Sequence, residues 1–154
     1  MTKKDNMDKI VIFDLDGTLA LIDKRRALAT KSGKMDWDVF FNPDNIDLDI
    51  PNDTVVNMVD MLNKQGYTIM ILSGRSDVTY QATIDWLNKH DIWFDNLMMR
   101  PQGYLYKPDN DLKQMWLDDI GVNNVAMVFD DRQQVVDMWR QNGLTCFQVA
   151  DGDF

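Results

Sequence analysis

Cysteine is almost missing from this chain of 154 residues, with Cys146 as its single representative. An internal disulfide is therefore excluded, and a reducing, cytoplasmic setting is the expectation. Histidine is equally scarce: His90 stands alone at the end of an expected helix, where it suits the helix dipole. No apolar run approaches the length of about 20 residues that a membrane span needs. The segment Met1 to Lys9 is charged and lacks the apolar centre of a signal peptide, so it reads as a short frayed lead-in. Basic charge is also in short supply, with 16 Lys and Arg against 25 acidic residues and a net charge of -9. Such a chain is unsuited to coating nucleic acid nonspecifically, which requires a basic field, although gripping one terminal phosphate stays open to it. Internal repeats, low-complexity tracts and linkers are absent from the sequence, and 45% hydrophobic with 27% charged residues fits one domain spanning 1–154.

What is present starts with Lys9 to Thr18, KIVIFDLDGT. A short β-branched apolar run ended by Asp and Gly reads as a buried strand that stops in a polar loop. Asp14 and Asp16 are two residues apart, so an extended chain aims both carboxylates the same way. Two anions at about 4 Å repel by roughly 4 kcal/mol at an effective dielectric near 20. That crowding calls for a hard divalent cation with oxygen ligands, Mg2+ above all, because neither His nor Cys supports the pair. Gly17 permits the tight backbone, and Thr18 supplies a hydroxyl beside it.

Further along, residues 20–51 are irregular and longer than an ordinary connection, which suggests a flap with a helical turn or two. A helix begins at Pro51-Asn52-Asp53 and carries Val55, Val56, Val59 and Leu62 until Gly66. Tyr67 to Leu72 is a second buried strand, after which Asp77 is expected to cap a helix running to about Asn88. A third strand is placed at Phe94 to Met99, then a loop that delivers Lys107 just ahead of Pro108 and a helix ending near Gly121. Val125 to Phe129 is a fourth strand, followed by a helix from Arg132 to Asn142 and a last strand from Thr145 to Val149. Strand, helix, Gly, strand recurs throughout, which predicts an α/β fold: a three-layer, doubly wound parallel sheet with a small flap after its first strand.

In such a sheet the loops at the carboxyl ends of the strands share one crevice. Here those loops offer Asp14, Asp16 and Thr18; Ser73, Gly74 and Arg75; Lys107; and Asp130 with Asp131. A carboxylate to attack, a metal to neutralise charge and hydroxyl, amide and ammonium donors for the equatorial oxygens suit phosphoryl transfer.

The order DLDGT, the Ser73 of LSGR, Lys107 and Asp130-Asp131 resembles the four motifs of the haloacid dehalogenase (HAD) superfamily, most of whose members are Mg2+-dependent phosphohydrolases. The resemblance implies a HAD-like Rossmannoid sheet, with Asp14 as nucleophile and Asp16 as general acid/base. It implies that Thr18, Ser73 and Gly74 hold the phosphate while Lys107 screens charge. Asp14, the Asp16 carbonyl and Asp130 would bind Mg2+, and Asp131 would support the metal from a second shell or through water. IVIFDLDGTLA, ILSGR and the run FDDRQQVVDMWRQNGLTCFQVADGDF look more closely like the 3′-phosphatase domains of phage polynucleotide kinase/phosphatases. That likeness adds Arg25 and Arg75 as contacts to the substrate phosphate. No GxxxxGK[ST] loop occurs in the sequence, so no kinase domain and no phosphorylation of 5′ ends are expected from it.

The activity so implied is removal of 3′-phosphate from nucleic acid ends or nucleoside 3′-phosphates through an aspartyl-phosphate. The implied partners are 3′-phosphorylated ends or nucleotides, with no membrane; the oligomeric state is open. A HAD phosphatase for a small phosphorylated metabolite or 5′-nucleotide is the alternative, and a phosphoacceptor signalling module is a remote one, disfavoured because Asp16 would drive hydrolysis. A binding protein that has lost activity is disfavoured because every implied catalytic side chain is present. Trp37, Phe40 and Phe41 are read first as the flap's own small core, with stacking on a terminal base as the second reading.

Overall fold

The computed structural model describes residues 9–152, so most of the expected frayed lead-in, residues 1–8, lies outside the described residues. Strand β1 (Ile10–Phe13) is the centre of a five-stranded sheet. The other strands are β6 (Thr68–Ser76), β7 (Asn96–Arg100), β8 (Val125–Asp130) and β9 (Cys146–Gln148), in the order β7-β6-β1-β8-β9, and every pairing is parallel. Alternation along β1 sorts its residues between two cores, as a period of two requires. Val11 and Phe13 join Ile69, Ile71 and Phe129 on one face, under Val55 and Val59 of α3 (Asp53–Lys64) and Trp86 and Leu87 of α4 (Tyr80–Lys89). Ile12 joins Met70, Leu72 and Val128 on the other face, under Leu112, Trp116 and Leu117 of α5 (Asp109–Ile120) and Val135, Val136 and Trp139 of α6 (Gln133–Gln141). Two buried faces explain why the strands read as continuous apolar runs.

The chain steps from β1 to β6 on one side and later to β8 on the other. This reversal opens a crevice at the carboxyl end of β1.

Residues 20–51 are better ordered than a flap with a turn or two. An antiparallel pair, β2 (Ala20–Leu21) with β5 (Ile50–Pro51), closes their base. Between the two come α1 (Asp23–Ala29), a hairpin of β3 (Thr30–Lys31) and β4 (Lys34–Met35), α2 (Trp37–Phe40) and a 3-10 turn over Pro43–Leu48. The Asp36 carboxylate accepts from the Asp38 and Val39 amides and so starts α2, whose four residues are short for an independent helix.

Several boundaries differ from the sequence expectation: the strand expected to stop at Leu72 runs on through Ser73, Gly74 and Arg75 to Ser76, and the last strand is shorter, Cys146–Gln148. Ser76, rather than Asp77, supplies the cap, its hydroxyl accepting from the Val78 amide at the start of a short 3-10 turn before α4. Phe94 lies ahead of β7, which starts at Asn96, because the Asp95 carboxylate and amide bond to Ile69 before the ladder begins. Among the described residues, no helix is long and apolar enough to cross a membrane.

Candidate active site

At the carboxyl end of β1 the ladder hands over to side chains. The Asp14 amide still donates to the Phe129 carbonyl at 2.9 Å, which fixes Asp14 beside the end of β8. The next residues turn sharply. Gly17 has φ +84°, and a Cβ built on it would stand 2.0 Å from an Asp131 carboxylate oxygen, so only glycine lets the two loops meet. Asp14, Asp130 and Asp131 thereby come together, each offering an oxygen within 4.8 Å of the others.

Lys113 reaches into this group from α5. Its Nζ donates to Asp14 Oδ1 at 2.8 Å and to Asp130 Oδ2 at 3.1 Å. Trp139 Nε1 donates to the same Asp130 oxygen at 3.1 Å, and the Asp131 amide donates to Asp130 Oδ1 at 2.8 Å. The Thr18 hydroxyl lies 3.3 Å from both Asp14 Oδ2 and Asp131 Oδ1. One ammonium among three buried carboxylates leaves an excess of negative charge. Burial first, and then the Asp130 charge, push the Asp14 carboxyl well above the usual range against the pull of Lys113. Asp131 is raised mainly by burial as well. Burial alone would lower Lys113, but Asp130, Asp14 and Asp109 overcome it and hold the ammonium protonated. Clustered hard oxygens with uncompensated charge are the donor set that suits Mg2+.

The second carboxylate of DLDGT faces other company. Asp16 Oδ1 accepts from Arg25 Nη2 at 2.9 Å and from Arg75 Nε at 3.1 Å. Asp49 braces both arginines from behind, accepting from Arg25 Nε at 2.9 Å and from Arg75 Nη2 at 2.9 Å. Thr83 accepts from Arg75 Nη1, and the Phe40 carbonyl accepts from Arg25 Nη1. Burial acts to raise the Asp16 carboxyl, yet Arg75 and Arg25 together outweigh it and hold the group below its ordinary value. Neighbouring carboxylates of one loop are thus driven in opposite directions, Asp14 up and Asp16 down.

A third cluster forms the far wall. Asp109 pairs with Arg100 and with Arg132 Nη1, the latter at 2.8 Å. A Cβ at Gly74 would lie 2.4 Å from Asp109 Oδ1, so glycine lets β6 pass close to this wall. The cleft holding these groups has a volume of about 930 Å³ and reaches out to the flap, within the range of small-ligand sites.

Residues 8–154 match the family model described as the Polynucleotide kinase PNKP phosphatase domain. The chain belongs to the HAD polynucleotide kinase phosphatase-domain family. A protein of Autographa californica nuclear polyhedrosis virus, named as a bifunctional polynucleotide kinase/RNA ligase, is 34% identical over 150 residues, which are 95% of this chain and 20% of the viral one. A chain in the solved Pnkp1/Rnl/Hen1 RNA repair complex superposes with a TM-score of 0.78 at 38% identity, over 96% of this chain and 44% of that one. A predicted phosphatase from Clostridium acetobutylicum, at 12% identity and a TM-score of 0.71, shows the shared fold. The chain spans about a fifth of the viral relative and less than half of the repair-complex chain.

Within this phosphatase the sequence-predicted residues separate. Asp14, Thr18, Ser73, Gly74, Asp130 and Asp131 meet at the crevice, with the Ser73 hydroxyl accepting from the Arg75 amide at 3.1 Å. Asp131, expected to support the metal from a second shell or through water, brings an oxygen within 4.8 Å of those of Asp14 and Asp130. The Asp16 carboxylate does not join that trio, because two arginines hold it. Arg25, expected against the substrate phosphate, is fully buried and spends its donors on Asp16, Asp49 and Phe40. Arg75 does line the cleft, while also serving Asp16.

The lysine expectation is corrected. Lys107 sits in the loop before α5 with its Nζ 6.0 Å from the Tyr104 ring centroid, and its carbonyl accepts from Arg100. Lys113 occupies the place beside the carboxylates. The signal lay in α5 itself: Lys113 falls among Leu112, Trp116 and Leu117, so a cation interrupts an apolar face. Nothing in the sequence pattern singles out Asp49, Arg100, Asp109 or Arg132, since a single charge at a strand end, in a loop or at a helix start looks like solvated surface. Lys113→Met is expected to lower kcat by about 10²-fold or more, as loss of a preorganised charge does, while Lys107→Ala leaves kcat within about twofold. Steady-state phosphate release by the two purified variants checks this, and a large loss in Lys107→Ala with little in Lys113→Met would return the role to Lys107.

Proposed function

We propose that this phosphatase is a Mg2+-dependent phosphomonoesterase that removes 3′-phosphate from nucleic acid ends through an aspartyl-phosphate on Asp14. One observation carries the reading: Asp14 lies against Lys113 among buried carboxylates, while Asp16, two residues on, is set apart by arginines. Environments that push two carboxylates in opposite directions mark nucleophile and proton-transfer roles. The family match supplies the phosphatase class, and the polynucleotide and RNA-repair names of the relatives support nucleic acid ends as substrate.

In the first half-reaction an Asp14 oxygen attacks phosphorus, the bond from phosphorus to the sugar oxygen breaks, and Asp16 delivers a proton to that oxygen. In the second, Asp16 takes a proton from water, the water oxygen bonds to phosphorus, and inorganic phosphate leaves with Asp14 restored. Asp14, Asp130 and Asp131 would hold Mg2+, which neutralises charge on the phosphoryl oxygens. Thr18, Ser73 and the Gly74 amide hold the phosphate, and Lys113 screens the nucleophile. The ion-paired Asp16 is in the state needed to deprotonate water. Donation requires Asp16 to take up a proton as substrate binds, which follows when Arg75 turns part of its guanidinium to the arriving phosphate dianion and the burial that raises the Asp16 carboxyl is no longer outweighed.

A substrate panel tests the assignment: a 3′-phosphorylated oligonucleotide, the same strand phosphorylated at 5′, and sugar phosphates, each with Mg2+ and after chelation. Fastest turnover of the 3′-phosphate, lost with a chelator and restored by Mg2+, is expected. Equal or better turnover of sugar phosphates would favour a small-metabolite phosphatase.

A further inference from the structure

Three aromatic residues of the flap divide into two kinds. Phe40 is buried, with the Arg25 guanidinium carbon 4.2 Å from its ring centroid. Trp37 is the opposite case: 59% of its surface is exposed, although its ring is held edge-on to Phe40 and stacked on Phe41, both at 5.7 Å between centroids. A large apolar ring kept open to water yet fixed in orientation loses little freedom when another flat ring covers it. Trp37 and Phe41 line the same cleft as Asp14 and Lys113, and Leu105 and the 98%-exposed Tyr106 line it from the loop ahead of α5. The aromatic rim is therefore continuous with the phosphate end of the site.

Charge narrows the choice of what it meets. With a net charge of -9, the protein has little basic field for a run of phosphates. Of the cations that line the cleft, Lys113 is engaged with Asp14 and Asp130, Arg75 with Asp16 and Asp49, and Arg100 and Arg132 with Asp109, while Arg26 lines it from the flap. Beyond its terminal phosphate, a nucleic acid end finds aromatic surface in this cleft. We infer that Trp37 is the platform on which the terminal nucleobase stacks, and so a specificity-determining residue. The inference rests on the reading that the site takes nucleic acid ends. Stacking tolerates any base, because every base has a flat apolar face.

The experiment compares the full chain with Trp37→Ala and Trp37→Phe on two single-stranded 3′-phosphorylated oligonucleotides, identical except that the last nucleotide of one is abasic, with glycerol phosphate as a third substrate. The wild type is expected to favour the base-bearing end by about tenfold in kcat/KM, a typical yield of one base–aromatic stack. That ratio falls toward one in Trp37→Ala, through KM, and is largely restored in Trp37→Phe. A ratio unchanged in Trp37→Ala overturns the inference, as does a loss of equal size on all three substrates, which would mark a structural role. Preference of the wild type for glycerol phosphate over both oligonucleotides would instead overturn the nucleic acid reading beneath it.

Discussion

Asp14→Asn is expected to abolish phosphate release, by about 10⁴-fold or more as for other deleted nucleophiles, and at the same time to raise the melting temperature of the metal-free protein at neutral pH. Both effects come from one environment. Asp14 is buried beside Asp130 and Asp131 with Lys113 as its ammonium partner, and its carboxyl is raised well above the ordinary value. A carboxyl raised in the folded state binds its proton more tightly there than in the unfolded chain. Its favourable contribution is therefore complete below the unfolded value near 3.8 and is lost as pH rises through the folded value, so at neutral pH, above the unfolded value, this carboxyl opposes folding. An Asn keeps an oxygen for Lys113 and turns an amide toward the carboxylates, which removes the repulsion without opening a cavity. Mg2+ should raise the melting temperature of the wild type by mass action and raise that of Asp14→Asn less. Thermal melts with and without Mg2+ check this, and a variant that melts lower than wild type in chelator would show that the repulsion is compensated by other means.

The largest loss of stability is expected from Asp49→Ala. Asp49 is buried, and its two oxygens are shared between Arg25 and Arg75, which both also grip Asp16. Without Asp49, two buried guanidinium groups face each other with one carboxylate between them. Breaking a buried pair by removing one partner costs about 3 to 5 kcal/mol. The local backbone keeps an anchor, because Trp86 Nε1 donates to the Asp49 carbonyl rather than to its carboxylate. The variant should therefore fold with lowered stability, and its kcat should fall along with it, since the arginines that orient Asp16 lose their support. Urea unfolding and steady-state kinetics on the same sample test both halves. A kcat that survives while stability drops would separate Asp49 from the positioning of Asp16.

The parts of the site that were legible lie where local pattern ends in a polar loop. Asp14 follows an apolar strand, Ser73 follows YTIMIL, and Asp130-Asp131 follows VAMVF; in a parallel sheet those ends share one edge. In the sequence Lys107 stands out because it too closes a loop, just ahead of Pro108, whereas Lys113 inside a helix has the look of an ordinary solvated lysine. Asp49 ends a 3-10 turn far from Arg75 in sequence, and nothing local announces their pairing. Trp37, Phe40 and Phe41 formed one cluster in the sequence, whereas the structure buries Phe40 and leaves Trp37 open at the cleft.

By itself, then, the sequence determined the layered parallel sheet and which carboxylates leave its strands together, because alternation and apolar runs are encoded residue by residue. The tertiary structure alone decided which lysine reaches Asp14, which way Asp16 turns and which arginines receive it. Those outcomes depend on the rotation of α5 about its axis and on how closely the flap folds over the sheet, and packing between distant segments sets both.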